Sequence, residues 1–118
     1  MKVNLKEKLD LISDFWTPVI IGELNLQHVK LAKIKGEFIM HHHEHEDELF
    51  YVIKGKMKME FEDHSEEINE GEFIIIPKGT RHRPSADQET HILLFEPNTT
   101  LNTGNIENKF TVKSPERK

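Results

Sequence analysis

Five positions, residues 41–45, hold four of the chain's eight histidines in the run "HHHEH", and a carboxylate, Glu48, follows three residues later. The run lies mid-chain between segments with strand character, so it is no terminal purification tag. On an extended backbone alternate side chains share a face, which turns His41 and His43 together and His42 away from them. Glu48 opens the strand "ELFYVIKG" and would share its face with Phe50 and Val52. A carboxylate among such neighbours is costly to bury unless a cation or a hydrogen-bond network meets it. Two imidazoles and a carboxylate with open positions suit Fe(II) and its first-row neighbours. A fourth donor, His82, follows the tight turn around Pro77 and Gly79 in "GEFIIIPKGTRHRPSA", and an antiparallel barrel can bring it beside the first pair.

Other residue types near this set allow further chemistry. Arg81 and Arg83 flank His82; exposed arginines are ordinarily just solvated, but here their forked guanidinium groups would suit an anionic ligand. Met57, Met59 and Phe61 are core lining by their alternation, or else an apolar pocket wall. No general base stands out, and His45 and Glu46 are the candidates. There is no cysteine, so thiol chemistry, disulfides and thiolate zinc sites are excluded.

The elements that must position these groups are short. "VNLKEKLDLISDFW" predicts a helix over about residues 4–14, with Leu5, Leu9 and Ile12 at helical spacing and Asn4 and Glu7 as a capping box. Pro18 ends it. From there to about residue 96 the chain reads as strands divided by turn residues, with "KMKMEFE" alternating cleanly and "EFIIIPKG" and "HILLFEP" reading as continuous apolar runs buried on both faces. This predicts an all-β sandwich or small barrel in a single domain spanning residues 1–118. The polar tail, residues 97–118, reads as a loosely ordered terminus or as an arm on a partner subunit through Leu101, Ile106 and Phe110.

Residues 36–55 and 71–86 resemble the two motifs of the cupin family. The first motif has a glycine, His-x-His, a glutamate and a closing glycine, matched by Gly36, His41, His43, Glu48 and Gly55. The second has Gly, Pro-x-Gly and His, matched by Gly71, Pro77, Gly79 and His82. The chain departs from the pattern in a spacer one residue short between Gly36 and His41, and in Ala86 where the motif has asparagine. The resemblance implies a small double-stranded β-helix, or jelly-roll barrel, with a core of about residues 30–96. Inside it His41, His43, Glu48 and His82 would hold one divalent metal: Fe, Mn, Zn, Ni, Co or Cu. Within the family the chain is similar to small single-domain members often labelled mannose-6-phosphate-isomerase-like.

The function so implied is a metal-dependent enzyme of isomerase, lyase or dioxygenase type on a small sugar-like, oxoacid or diketone molecule. The alternatives are a non-catalytic sensor or storage module and a barrel that uses metal only for stability. A net charge of −5 argues against nucleic acid or an anionic membrane as partner. With no apolar run of membrane-spanning length and no secretory signal at the start, the expected location is cytoplasmic. A short barrel leaves sheet edges to cover, and the expected assembly is a homodimer.

Overall fold

The computed structural model describes residues 2–118. A single-turn helix α1 (Leu5–Leu9) precedes seven strands: β1 (Val19–Leu24), β2 (Gln27–Glu37), β3 (Glu48–Lys54), β4 (Lys56–Glu60), β5 (Ser65–Asn69), β6 (Phe73–Ile76) and β7 (Arg83–Pro97). All pairings are antiparallel, in the order β1-β2-β7-β3-β6, with β4 joining β5 to β7. β7 is the hub. One edge pairs with β2 along almost its whole length, and the other pairs first with β4 and then with β3. The chain passes from β3 to β4 at Gly55, whose φ of 98° and close approach to Thr90 leave no room for a side chain. The result is the small barrel expected, its sheet beginning at Val19, upstream of the expected core.

Strand periodicity decides what enters the barrel. On β4, Met57 and Met59 are fully buried while Lys56 and Lys58 face solvent. On β2 the inward column is His28, Lys30, Ala32 and Ile34, and Leu31 on the other face packs with Leu9, Ile12 and Val19 beneath the helix. The helix thus covers its own barrel. The two continuous apolar runs are not buried on both faces. In β7, Ile92, Leu94 and Glu96 point in while Leu93 and Phe95 are only half-buried. β6 is the last strand of the sheet path and leaves Phe73 and Ile75 more than half exposed.

Two expectations about the termini are corrected. The helix stops at Leu9 although Asn4 caps it as expected, its Oδ1 accepting from the Glu7 amide at 2.9 Å. Residues 12–16 are recruited to β2 instead: Lys33 Nζ donates to the Ile12 carbonyl, and the Trp16 amide donates to the Lys33 carbonyl. The tail is not loose. It runs back over its own barrel, with the Asn98 amide on the Leu26 carbonyl, Thr103 fully buried, and the Lys118 amide on the Ile20 carbonyl. Phe110 lies 5.1 Å from Phe38 and 6.4 Å from Trp16, ring centre to ring centre. Its few apolar side chains succeed because asparagine and threonine satisfy the backbone: Asn102 alone accepts from the Val112 amide and donates to the Phe110 carbonyl.

Phe110→Ala is therefore expected to lower stability by about 1–2 kcal/mol, the loss of a half-buried ring and its aromatic contacts. Urea unfolding should show a lower midpoint with an unchanged slope.

Candidate metal centre

His41 and His43 lie in the extended segment between β2 and β3, and their positions are set by backbone pairing. His41 and His82 exchange amide–carbonyl bonds of 3.0 and 2.9 Å, and the His43 carbonyl accepts from the Gly79 amide at 2.7 Å. The Pro77–Gly79 turn therefore clamps both histidine segments. Glu48, the first residue of β3, sits opposite Ile76 at the foot of the same turn. All four side chains are buried, and one donor atom from each falls within 4.8 Å of the others. His42, between them, turns outward as strand alternation requires.

The ring protons are assigned by carbonyl oxygens, which can only accept. His41 donates from Nδ1 to Ile39 O at 2.9 Å, and His82 donates from Nδ1 to Thr80 O at 2.8 Å. The Nε2 lone pairs of both rings then face inward. His82 Nε2 stands 3.2 Å from Glu48 Oε1. His43 Nε2 lies 2.8 Å from the same oxygen, yet no aligned hydrogen bond satisfies it. Burial and the neighbouring His82 and His43 push His41 down to about 4, so it stays neutral. Burial would raise the Glu48 carboxyl, but a proton on the adjacent His43 and His82 Nε2 atoms outweighs it and holds the carboxyl below the usual range; with the lone pairs turned inward that role falls to a cation. Lone pairs converging on a buried carboxylate, one nitrogen orphaned, are what a cation resolves. The donor set, three imidazoles and one carboxylate with the far ring nitrogens fixed by carbonyls, fits a divalent first-row metal.

His41 and Glu48 open on a cavity of about 40 Å³, room for a few water molecules. Its walls are chiefly apolar, with Trp16, Phe38, Ile34, Phe50 and Leu94 prominent, and the tail contributes Asn102. None of the other expected site residues lines it. His45 is 86% exposed beside Glu44, and Glu46 accepts from the Thr99 hydroxyl at the surface. Arg83 is engaged by Glu60 and Glu37, and Arg81 by Glu62. Both arginines flank an inward residue, so alternation sends them out. Met57 and Met59 belong to the barrel core, and Phe61 stacks on His64 at 4.8 Å.

A different ionisable group does reach the cavity, and the sequence reading passed over it. Glu96 is 3% exposed, with Oε1 3.9 Å from Lys30 Nζ, itself buried. Burial and the charge of Glu48 push its carboxyl up to about 8 against the opposing pull of Lys30. The signal was present in the period-two columns His28, Lys30 on β2 and Ile92, Leu94, Glu96 on β7, obscured because "HILLFEP" reads as uniformly apolar.

Fold and site together define a single-barrel protein whose interior carries a histidine–glutamate set able to hold a metal ion. The Cupin domain model, Cupin_2, matches residues 27–105, and the chain belongs to the cupin family. It is 41% identical over 77 residues to the uncharacterised protein YdbB of Bacillus subtilis, covering 64% of this chain and 68% of that one. Among solved structures it resembles a cupin-2 domain protein from Shewanella frigidimarina, with TM-score 0.79 and 38% identity over 80% of this chain and 93% of that one. Protein NMB1881 from Neisseria meningitidis gives a TM-score of 0.76 and 32% identity, covering 82% and 99% of the two chains. Among the described residues no helix is long and apolar enough to cross a membrane.

Two outcomes follow from this geometry. Unfolded chain binds a proton on His41 near 6.5, folded chain only near 4, so stability falls as pH drops through that window. In metal-free protein, denaturation at pH 7 and pH 4.5 should show wild type losing about 2 kcal/mol more than His41→Gln. Gly104, at φ 59°, is pressed against the site: a Cβ there would stand 2.2 Å from the His42 carbonyl oxygen and 3.0 Å from His41 Cδ2. Gly104→Ala should cost about 1–3 kcal/mol and weaken metal retention, checked by unfolding and elemental analysis.

Proposed function

We propose that this protein is a metal-dependent enzyme acting on a small carbonyl-bearing molecule, of isomerase, lyase or dioxygenase type. The observation that carries the reading is the buried cluster of His41, His43, Glu48 and His82 bordering an apolar cavity. Those four residues would hold a divalent cation, and when bound it would supply Lewis acidity toward a ligand oxygen, with oxygen chemistry added if it is iron. The remaining work falls to the chain. Trp16, Phe38, Phe50 and Leu94 exclude bulk water and strengthen every electrostatic interaction within.

The same walls bear on the substrate. Each ligand hydroxyl set against Ile34 or Phe50 without a partner costs about 1–3 kcal/mol. A polyhydroxylated sugar would lose several such bonds, whereas a short ketone, diketone or oxoacid exposes few. No arginine faces the cavity to receive a phosphate, since Arg81 and Arg83 are paired outside it. This favours the small carbonyl end of the range expected from sequence over the sugar-like end.

Elemental analysis of protein purified without an added tag should find one divalent metal per chain. The double variant His41→Ala/His43→Ala should lose it, and retention at the wild-type level would refute the ligand assignment. Turnover of a panel of short ketones, diketones and oxoacids supports an enzyme; binding without turnover would make the barrel a ligand-binding module instead.

A further inference from the structure

Glu96 is the polar group in the cavity that the metal cluster does not explain. Its side chain is 3% exposed, it lines the cavity beside His41 and Glu48, and its Oε2 has no hydrogen-bond partner among the described residues. Its other oxygen is 3.9 Å from Lys30 Nζ, beyond hydrogen-bond length, and the nearby Thr100 hydroxyl, which pulls the carboxyl down, is shared with the Pro97 carbonyl at 2.8 Å. Asn102, the remaining polar side chain on the wall, is already spent at both ends on the Phe110 carbonyl and the Val112 amide. Oε2 of Glu96 thus keeps unused hydrogen-bonding capacity. A buried carboxyl so poorly satisfied is costly to the fold, and such groups are retained where they act.

What stands behind it points the same way. His28 is the direct cross-strand partner of Glu96. Its Nδ1 is also buried without a partner, and its Nε2 lies 3.3 Å from Glu23 Oε1, a carboxylate one-third exposed at the barrel surface. His28 thus sets a second unpartnered buried polar atom on the strand beside Glu96.

Building on the metal-dependent reading above, we propose that Glu96 is the catalytic proton-transfer residue of the cavity, acting on a small α-hydroxycarbonyl compound. In its ionised form, which burial makes the minor one at neutral pH, Glu96 takes the hydrogen from the hydroxyl-bearing carbon: the C–H bond breaks, an O–H bond forms at Oε2, and the freed pair becomes the C=C bond of an enediol as the carbonyl oxygen takes a solvent proton. Return of a proton from Oε2 to the neighbouring carbon forms the new C–H bond. The original hydroxyl gives its proton to solvent and becomes the carbonyl. The exchange is an isomerisation and needs no oxidant. Between the two transfers the Oε2 proton trades with water in the cavity, which has room for a few molecules.

The test uses metal-replete protein in D₂O with hydroxyacetone as probe, following deuterium incorporation at the hydroxymethyl carbon by proton NMR. Alongside it are measured the metal content and the melting temperature of metal-free protein. Wild type is expected to catalyse the exchange, and Glu96→Gln to slow it by at least about 100-fold. The variant should keep its metal and melt no lower than wild type. Glu96→Asp, which keeps the carboxyl, should restore part of the rate. Undiminished exchange in Glu96→Gln, or metal-replete wild type that leaves the probe unexchanged, overturns the proposal. So does a lower melting temperature of metal-free Glu96→Gln, which would make Glu96 a structural partner of Lys30. Wild type that carries no metal refutes the underlying reading instead, and Glu96 is then decided by the melting comparison alone.

Discussion

Two carbonyl oxygens, of Ile39 and Thr80, hold the Nδ1 protons of His41 and His82 and thereby aim two unshared pairs at the interior. His43 adds a third nitrogen with no aligned partner, and Glu48 a carboxylate oxygen within 3.2 Å of two of the rings. In water such a gathering would disperse. Here the backbone does not permit it, because the same residues are locked by the amide–carbonyl exchange between His41 and His82 and by the Gly79 bond to His43. The convergence of these donors is therefore a property of the fold, and a cation held by them would stabilise the native state over the unfolded chain.

That constraint explains features that would otherwise be unrelated. The interior must be dry for the donors to act strongly on a guest, and the apolar columns of β2, β3 and β7 supply this. The tail seals the rest, Phe110 lying against Phe38 while Phe38 stacks on Trp16 at 4.8 Å. Its backbone also reaches the histidine segment, where Asn105 both donates to the His42 carbonyl and accepts from the His42 amide. The tail thereby fixes the backbone between His41 and His43, the two histidines that face inward.

How much of this could be read from residue order differs by feature, for physical reasons. The His-x-His alternation, Glu48 at a strand start and His82 after a Pro-x-Gly turn are local patterns, and local patterns survive translation into three dimensions. The small barrel and the Asn4 cap were legible on the same ground. Arg81 and Arg83 misled through sequence adjacency, since neighbours of an inward strand residue face the other way. Glu96 was hidden by the apolar run around it, and its importance depends on His28 and Lys30, far away in the chain and adjacent only across a strand pair. The tail was misjudged because its hold comes from asparagine and threonine bonding to backbone, which composition counts as polarity and not as cohesion.

β7 pairs with β2, β3 and β4, yet it comes last in chain order among the described strands. Until Arg83–Pro97 has left the ribosome, β2 has only β1 beside it, and β3 and β4 lack the strand that joins them. The nascent polypeptide must carry these half-paired ribbons unprotected, then close them in one late, long-range docking event. Such topologies fold slowly and expose sticky edges while they wait. Docking of β7 is thus the step that closes the barrel.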